Sequence, residues 1–95
     1  MNALLVFSSF PDAETARRVG RTLVQEQCAA CVNLIPGAES IYWWKGVIET
    51  SAEVVALFKT TGDQYPRLAS RIRELHPYEL PEIVAFEPVD GLPDY

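Results

Sequence analysis

Val54-Val55-Ala56-Leu57-Phe58-Lys59-Thr60 is an almost unbroken run of apolar and β-favouring residues, closed by Thr61-Gly62-Asp63. Read as a strand, it points Val54, Ala56 and Phe58 to one face and Val55 and Leu57 to the other. An antiparallel strand with one wet face alternates apolar and polar residues. This one is apolar on both sides, and both sides need cover.

Working outward, Ser40-Ile41-Tyr42-Trp43-Trp44-Lys45-Gly46-Val47-Ile48-Glu49 reads as an extended hairpin with Lys45-Gly46 at its tip. Val32–Ile35 is a second strand stopped by Pro36-Gly37. Before it, the spacing predicts an amphipathic helix over Asp12–Gln27, capped by Ser9 or Asp12. Its apolar side carries Ala16, Gly20, Leu23 and Gln27, widened by Val19 and Val24. Gly20 in mid-helix costs roughly 1 kcal/mol against alanine, which points to close packing on a neighbour. Ala3–Phe7 is a first strand closed by Ser8, Ser9 and Pro11. Downstream, Asp63 is the expected cap of a helix over Gln64–Leu75, with Pro66 in its first turn and Leu68, Ile72 and Leu75 as its buried stripe. Glu82–Phe86 is the fourth strand. The order β-α-β-β-α-β is that of a ferredoxin-like α+β domain: a four-stranded antiparallel sheet, two helices on one face, and a long hairpin between the second and third strands. Residues 1–95 form a single domain, with no linker or repeat.

The first and fourth strands share the two-faced character: Leu4 and Val6 oppose Leu5 and Phe7, and Ile83 and Ala85 oppose Val84 and Phe86. If the helix-free face exposes roughly 600 Å² of apolar surface, leaving it wet forgoes ~15 kcal/mol of gross burial energy. That matches the entire net stability of an ordinary domain. No further helix is available as cover, so the expectation is an oligomer built sheet against sheet.

Eight basic residues against 13 acidic ones give a formal charge of −5, with a pI near 4.7. A chain so short of Lys and Arg is a poor binder of phosphate backbones, and the third strand lacks the aromatic pattern of an RNA-binding sheet. No nucleic acid is expected as partner, and no membrane, since the Ala3–Phe7 run is too short for a span or a signal core. Two cysteines make no disulfide framework, so a reducing cytoplasmic setting is expected.

The strings Ala29–Gly37, Ser40–Gly46, Leu57–Thr61 and His76-Pro77-Tyr78-Glu79-Leu80-Pro81-Glu82-Ile83 closely resemble the CutA family of divalent-cation tolerance proteins. The resemblance runs in order from the Pro11-Asp12 turn to Asp94-Tyr95. It implies a ferredoxin-like subunit related to PII signalling proteins and a homotrimer with its sheets packed around the three-fold axis. It also implies a role in the response to metal ions, with copper or another divalent cation as ligand and no obligatory cofactor. Of a set in some members comprising a first-strand cysteine and a doubled histidine before Pro-Tyr, this chain has Ser8, Leu75 and His76.

His76 reads either as a helix C-terminal histidine facing the dipole or as a copper or zinc ligand, with Glu79 and Glu82 adding oxygen donors. Cys28-Ala29-Ala30-Cys31 follows a helix instead of opening one. That is the wrong end for a redox thiol, and two thiols fall short of a zinc site. Cys31 reads as a small buried hydrophobe. The Tyr42-Trp43-Trp44 ribbon carries more aromatic surface than it can bury locally, and docking on a neighbouring subunit is the expected use. Trimer contacts are expected at Trp43, Val55 and Leu57, and an intersubunit cleft at Cys31, Tyr42, Trp44, Lys59 and Tyr78. Within that cleft a PII-like trimer would hold a nucleotide or other small molecule, although no glycine-rich phosphate cradle is present. An acylphosphatase-like enzyme needs an arginine after the first strand, where Ser8-Ser9-Phe10-Pro11-Asp12 has none. One histidine and no triad leave no catalytic residues to name.

Overall fold

The computed structural model describes residues 3–95. Its elements are β1 (Ala3–Phe10), α1 (Ala13–Gln25), β2 (Cys31–Trp44), β3 (Val47–Thr61), α2 (Tyr65–Leu75) and β4 (Val84–Phe86). The sheet order is β2-β3-β1-β4, every neighbouring pair antiparallel. This is the ferredoxin-like α+β architecture expected from the element order.

Several boundaries differ from the sequence reading, each for a local reason. β1 runs on past Phe7 because Ser8, Ser9 and Phe10 pair with Ala56, Val55 and Val54; Phe10, fully buried, anchors that end before Pro11 stops the ladder. Pro36-Gly37 does not end β2. The register passes from Ile35↔Val55 to Ala38↔Glu53, so two residues of β2 face one of β3 in a bulge. Gly37 has a φ of +87° there, and β2 is an edge strand, where a proline costs no ladder bond. β4 is shorter than expected, holding Val84–Phe86 alone.

α1 is capped by Asp12, whose side chain accepts the Thr15 amide at 2.7 Å. It ends two residues earlier than the periodicity suggests. Gln27 turns into the left-handed region at a φ of +62°. The Gln27 amide donates to the Val24 carbonyl, and the Cys28 amide to that of Leu23. These two bonds form a Schellman cap, with Leu23 and Cys28 buried together beneath it. Gln27 is therefore exposed and not on the apolar side. α2 is not capped by Asp63: Gln64 holds the cap position without a side-chain bond, and the Thr61 carbonyl accepts its amide. Arg71 makes a bidentate contact to Glu26 at 2.8 Å, and Arg67 donates to the Glu26 carbonyl. The end of α1 is thereby clamped to α2.

The helices cover the face bearing Val6, Phe10, Ala56 and Phe58, which pack with Val19, Leu23, Leu68 and Ile72. Gly20 lies here, where an added methyl would come within 3.1 Å of a Val32 methyl, so the close approach read from the sequence is met. Ser8 is fully buried on the same face, and its hydroxyl has no hydrogen-bond partner.

The opposite face holds register rows Cys31–Lys59–Leu5–Phe86 and Asn33–Leu57–Phe7–Val84. Among the described residues no helix lies over them, and Phe86 is 54% exposed. Beyond the bulge, β2 and β3 continue as a two-stranded arm for seven residue pairs, about 20 Å at ~3.3 Å per step. A Lys45-Gly46 turn closes it, both residues at positive φ. The arm raises the radius of gyration to 14.0 Å, against about 12 Å for a compact chain of this length.

Gln27 occupies a cap position that glycine fills without steric cost. Gln27→Gly is expected to raise stability by about 0.5–1 kcal/mol, read as a higher urea midpoint at unchanged slope.

Candidate functional site

Glu53 stands in β3 at the foot of the arm, on the helix-free side, two residues before Val55. Three hydroxyls converge on its carboxylate. Ser9 donates to Oε2 at 3.3 Å, Tyr78 donates to the same oxygen at 3.1 Å, and Ser40 donates to Oε1. β1, β2, β3 and the segment after α2 are thus tied at one point. Tyr42 adds a further layer through a 2.9 Å bond between its hydroxyl and that of Ser51. Burial first, then the Glu53 carboxylate, pushes the Tyr78 hydroxyl up to about 12. At neutral pH it is held as a donor.

His76 supports this cluster from beneath. It is 7% exposed and stacks on Phe10 with ring centroids 4.4 Å apart. Its Nε2 lies 2.6 Å from the Ser9 carbonyl oxygen. A carbonyl only accepts, so Nε2 carries the proton, and Nδ1 accepts the Tyr78 amide at 3.1 Å. Both ring nitrogens are committed to backbone groups. As folded, the imidazole offers no free lone pair to a metal ion.

A second concavity lies at the other end of the sheet, where residues 88–95 pass the mouth of a cleft of about 1110 Å³. Leu5, Val24, Ala29 and Leu92 supply apolar wall, and Cys31 and Lys59 face each other across β2 and β3. Lys59 Nζ donates to the Tyr95 hydroxyl at 3.1 Å and stands 5.5 Å from that ring's centroid. The bond to Tyr95 raises the lysine above its ordinary value. Both thiols are free; Cys28 is buried under the helix cap, whereas Cys31 is only half-buried.

Within a single chain the residues expected at an intersubunit cleft stand at three places. Cys31 and Lys59 share the cleft at the tail, Tyr42 and Tyr78 belong to the Glu53 cluster, and Trp44 is at the tip of the arm beneath Lys45. Trp43 is 70% exposed. Val55 and Leu57 lie half-buried on the helix-free face. Glu79 and Glu82 are exposed in the segment after His76, and among the described residues no three His, Cys, Asp or Glu side chains gather closely enough to hold a metal ion. Glu53, Ser40 and Tyr95 were not singled out from sequence, and Ser9, read there as a possible helix cap, leaves that role to Asp12 and bonds Glu53 instead. The one available signal was Glu53 itself, a carboxylate on the otherwise apolar face of a strand read as starting at Val54.

Because His76 is the single histidine, its titration can be followed alone. Burial holds its pKa below the ordinary 6.5, so on acidification the unfolded chain takes up the proton first. In metal-free buffer, stability is expected to be flat above about pH 6.5 and to fall below it. The lowered carboxyls of Glu26 and Asp12 act further down, below their ordinary 4.5 and 3.8. Urea midpoints between about pH 5 and 7 should slope for the wild type and be flat for His76→Gln.

Residues 4–95 match the family model described as CutA1 divalent ion tolerance protein. The chain is 43% identical over 91 residues to the divalent-cation tolerance protein CutA of Thermus thermophilus, covering 96% of this chain and 88% of that one. It superposes on CutA from Xylella fastidiosa with a TM-score of 0.95 at 44% identity, over 100% of this chain and 91% of the other. The protein from Archaeoglobus fulgidus, described as periplasmic divalent cation tolerance protein CutA, gives a TM-score of 0.91 at 29% identity, over 97% and 89%. Matched along its length in both sequence and fold, the chain belongs to the CutA1 divalent ion tolerance family.

Proposed function

We propose that this chain acts as a non-enzymatic, homotrimeric divalent-cation tolerance protein whose subunits close over one another's helix-free faces. The observation that carries the assembly is the uncovered apolar surface: Val84, Phe86, Ile35 and the arm residues Ile41, Trp43, Trp44, Val47 and Ile48. A two-stranded ribbon is marginal in water by itself, so an arm apolar on both faces needs a partner. Its tip differs in kind from the sheet face. A contact of arm on sheet is heterologous and generates a ring where its rotation closes, which is compatible with the three-fold closure that the family resemblance implies. Both thiols are free, which suits the cytoplasmic setting kept for this chain; the periplasmic description belongs to the Archaeoglobus protein.

The set proposed for copper or another divalent cation is His76, Glu79 and Glu82. Ligation at His76 Nδ1 has to displace the Tyr78 amide, at a cost of about 1 kcal/mol for one hydrogen bond, and to draw in Glu79 and Glu82, which do not gather with His76 in the folded chain. A cation held this way is bound modestly, and its arrival loosens Tyr78 from Glu53. That suits a protein that responds to metal more than one that stores it. The cleft with Lys59 supports a second reading, a PII-like trimer that takes a small molecule there.

Light scattering at micromolar concentration should give three times the 10.6 kDa chain mass, and Leu57→Asp should dissociate the assembly; a wild-type monomer rules the assembly out. Calorimetric titration with Cu(II) or Zn(II) should show uptake that His76→Ala weakens by about tenfold. Unchanged heats in that variant would remove His76 from the set.

A further inference from the structure

Six of the chain's eight basic residues are arginines, and all six stand on the two helices. Residues 12–26 and 64–76 hold these six against four acidic residues, Asp12, Glu14, Glu26 and Glu74, a charge of +2. The rest of the chain holds two lysines against nine acidic residues, a charge of −7. Arg17, Arg18 and Arg21 are exposed on α1, whose other side buries Ala16, Val19, Gly20 and Leu23. Among the described residues every hydrogen bond or ion pair of an arginine side chain belongs to Arg67 or Arg71, so these three guanidinium groups have no partner. The acidic neighbours are used otherwise or stand apart: Asp12 accepts the Thr15 amide, Glu26 is held by Arg71, and Glu14 forms no ion pair. Arg21 faces Arg17 at i,i+4 and Arg18 at i,i+3, and like charges at these spacings cost a helix stability. The fold gains no polar contact in return.

We infer that the outer face of α1 docks an acidic segment of a partner protein, its carboxylates laid one helical turn apart against Arg17, Arg18 and Arg21. A guanidinium meets a carboxylate through two parallel N–H bonds, and side chains three and four residues apart on a helix stand about 5–6 Å from one another, a spacing that short acidic segments match. The patch belongs to the helical layer, on the opposite side of the sheet from the helix-free face. It is therefore open in the single chain and in a sheet-against-sheet assembly alike, and the inference does not rest on the assembly. A phosphate backbone fits it poorly: the 13 residues of α1 span about 20 Å. Beyond either end a long polyanion meets a remainder of the chain that repels it. An anionic membrane fits no better, since a helix that lies in a bilayer surface needs free apolar side chains to insert. Among the described residues no large apolar side chain of α1 or α2 is exposed.

The test follows the α1 amides of the intact protein by NMR, with a short polyglutamate peptide, single-stranded DNA and phosphatidylserine vesicles as probes. At low salt, polyglutamate is expected to move the amides of Arg17, Arg18 and Arg21 at concentrations below about 1 mM, and to lose affinity as salt is raised. Arg17→Gln combined with Arg21→Gln should weaken the peptide about tenfold or more. The same variant should keep or slightly raise the urea midpoint, because a like-charge pair is removed, so its loss of binding is not a loss of fold. Arg73→Gln removes one exposed, unpaired arginine from α2 and should change the affinity by less than about twofold. Polyglutamate that leaves the three amides unmoved overturns the inference. So does an Arg73→Gln effect as large as that of Arg21→Gln alone, which would make the attraction one of diffuse charge. DNA or vesicles that move these amides where polyglutamate does not also overturn it, and reassign the face to that partner.

Discussion

The structure depends on an imbalance of cover. Two helices shield one face of a four-stranded sheet, and the strands carry apolar side chains on both. Leu57 shows it within one residue step: its neighbours Ala56 and Phe58 are fully buried under the helices, whereas Leu57 points the other way between Asn33 and Phe7, half-buried and with no helix over it among the described residues. Hydrophobic burial is non-directional and scales with area. The chain therefore does not choose its partner by this surface alone. It is the shape around that surface, an arm projecting beyond the body, that turns a need for cover into a particular mode of closure.

That arm begins at a bulge, and the bulge explains how one pair of strands serves two purposes. On the body side, β2 and β3 are pinned into the sheet by β1. Past Pro36-Gly37 they leave it, with the extra residue increasing the local twist. Glu53 sits where the change occurs. Ser9, Ser40 and Tyr78 saturate its carboxylate with hydroxyl donors, so a charge on an apolar face is satisfied without an ion pair. The same bonds fix the angle at which the arm departs, and His76 fixes Tyr78 from below through the backbone.

Most of the fold was legible because its signals are periodic: the strand alternation around Val54–Thr60, the 3.6-residue spacing of Leu68 and Ile72, the Lys45-Gly46 turn. What was not legible is specified by tertiary partners. Ser8 and Ser9 look like a strand end in isolation, yet the ladder with Val55 and Ala56 carries them into the sheet. Pro36-Gly37 looks like a stop, yet at an edge strand it is a bulge. Gln27 belongs by periodicity to the helix, yet it is the left-handed residue that ends it. The surroundings of the site are the least legible part: in the sequence His76 reads as a helix C-terminal histidine or as a metal ligand, while the backbone groups that meet both its nitrogens come from Ser9 and Tyr78 and show only in the fold.

The two concavities differ in how they can respond to a ligand. At Glu53 every polar group has its partner, so anything that binds His76 must first break a bond already formed; selectivity there comes from the cost of opening. At Lys59 the partner is the phenol of Tyr95, and among the described residues no carboxylate pairs with the ammonium. The first couples binding to the foot of the arm and hence to the exposed apolar residues that the arm carries. Lys59 belongs to the same helix-free face, in the row with Cys31, Leu5 and Phe86. Both concavities therefore border the side of the sheet that has no helix over it: the Glu53 cluster at one end of the β1–β3 ladder, where Ser9 pairs with Val55, and Lys59 at the other, where it pairs with Leu5.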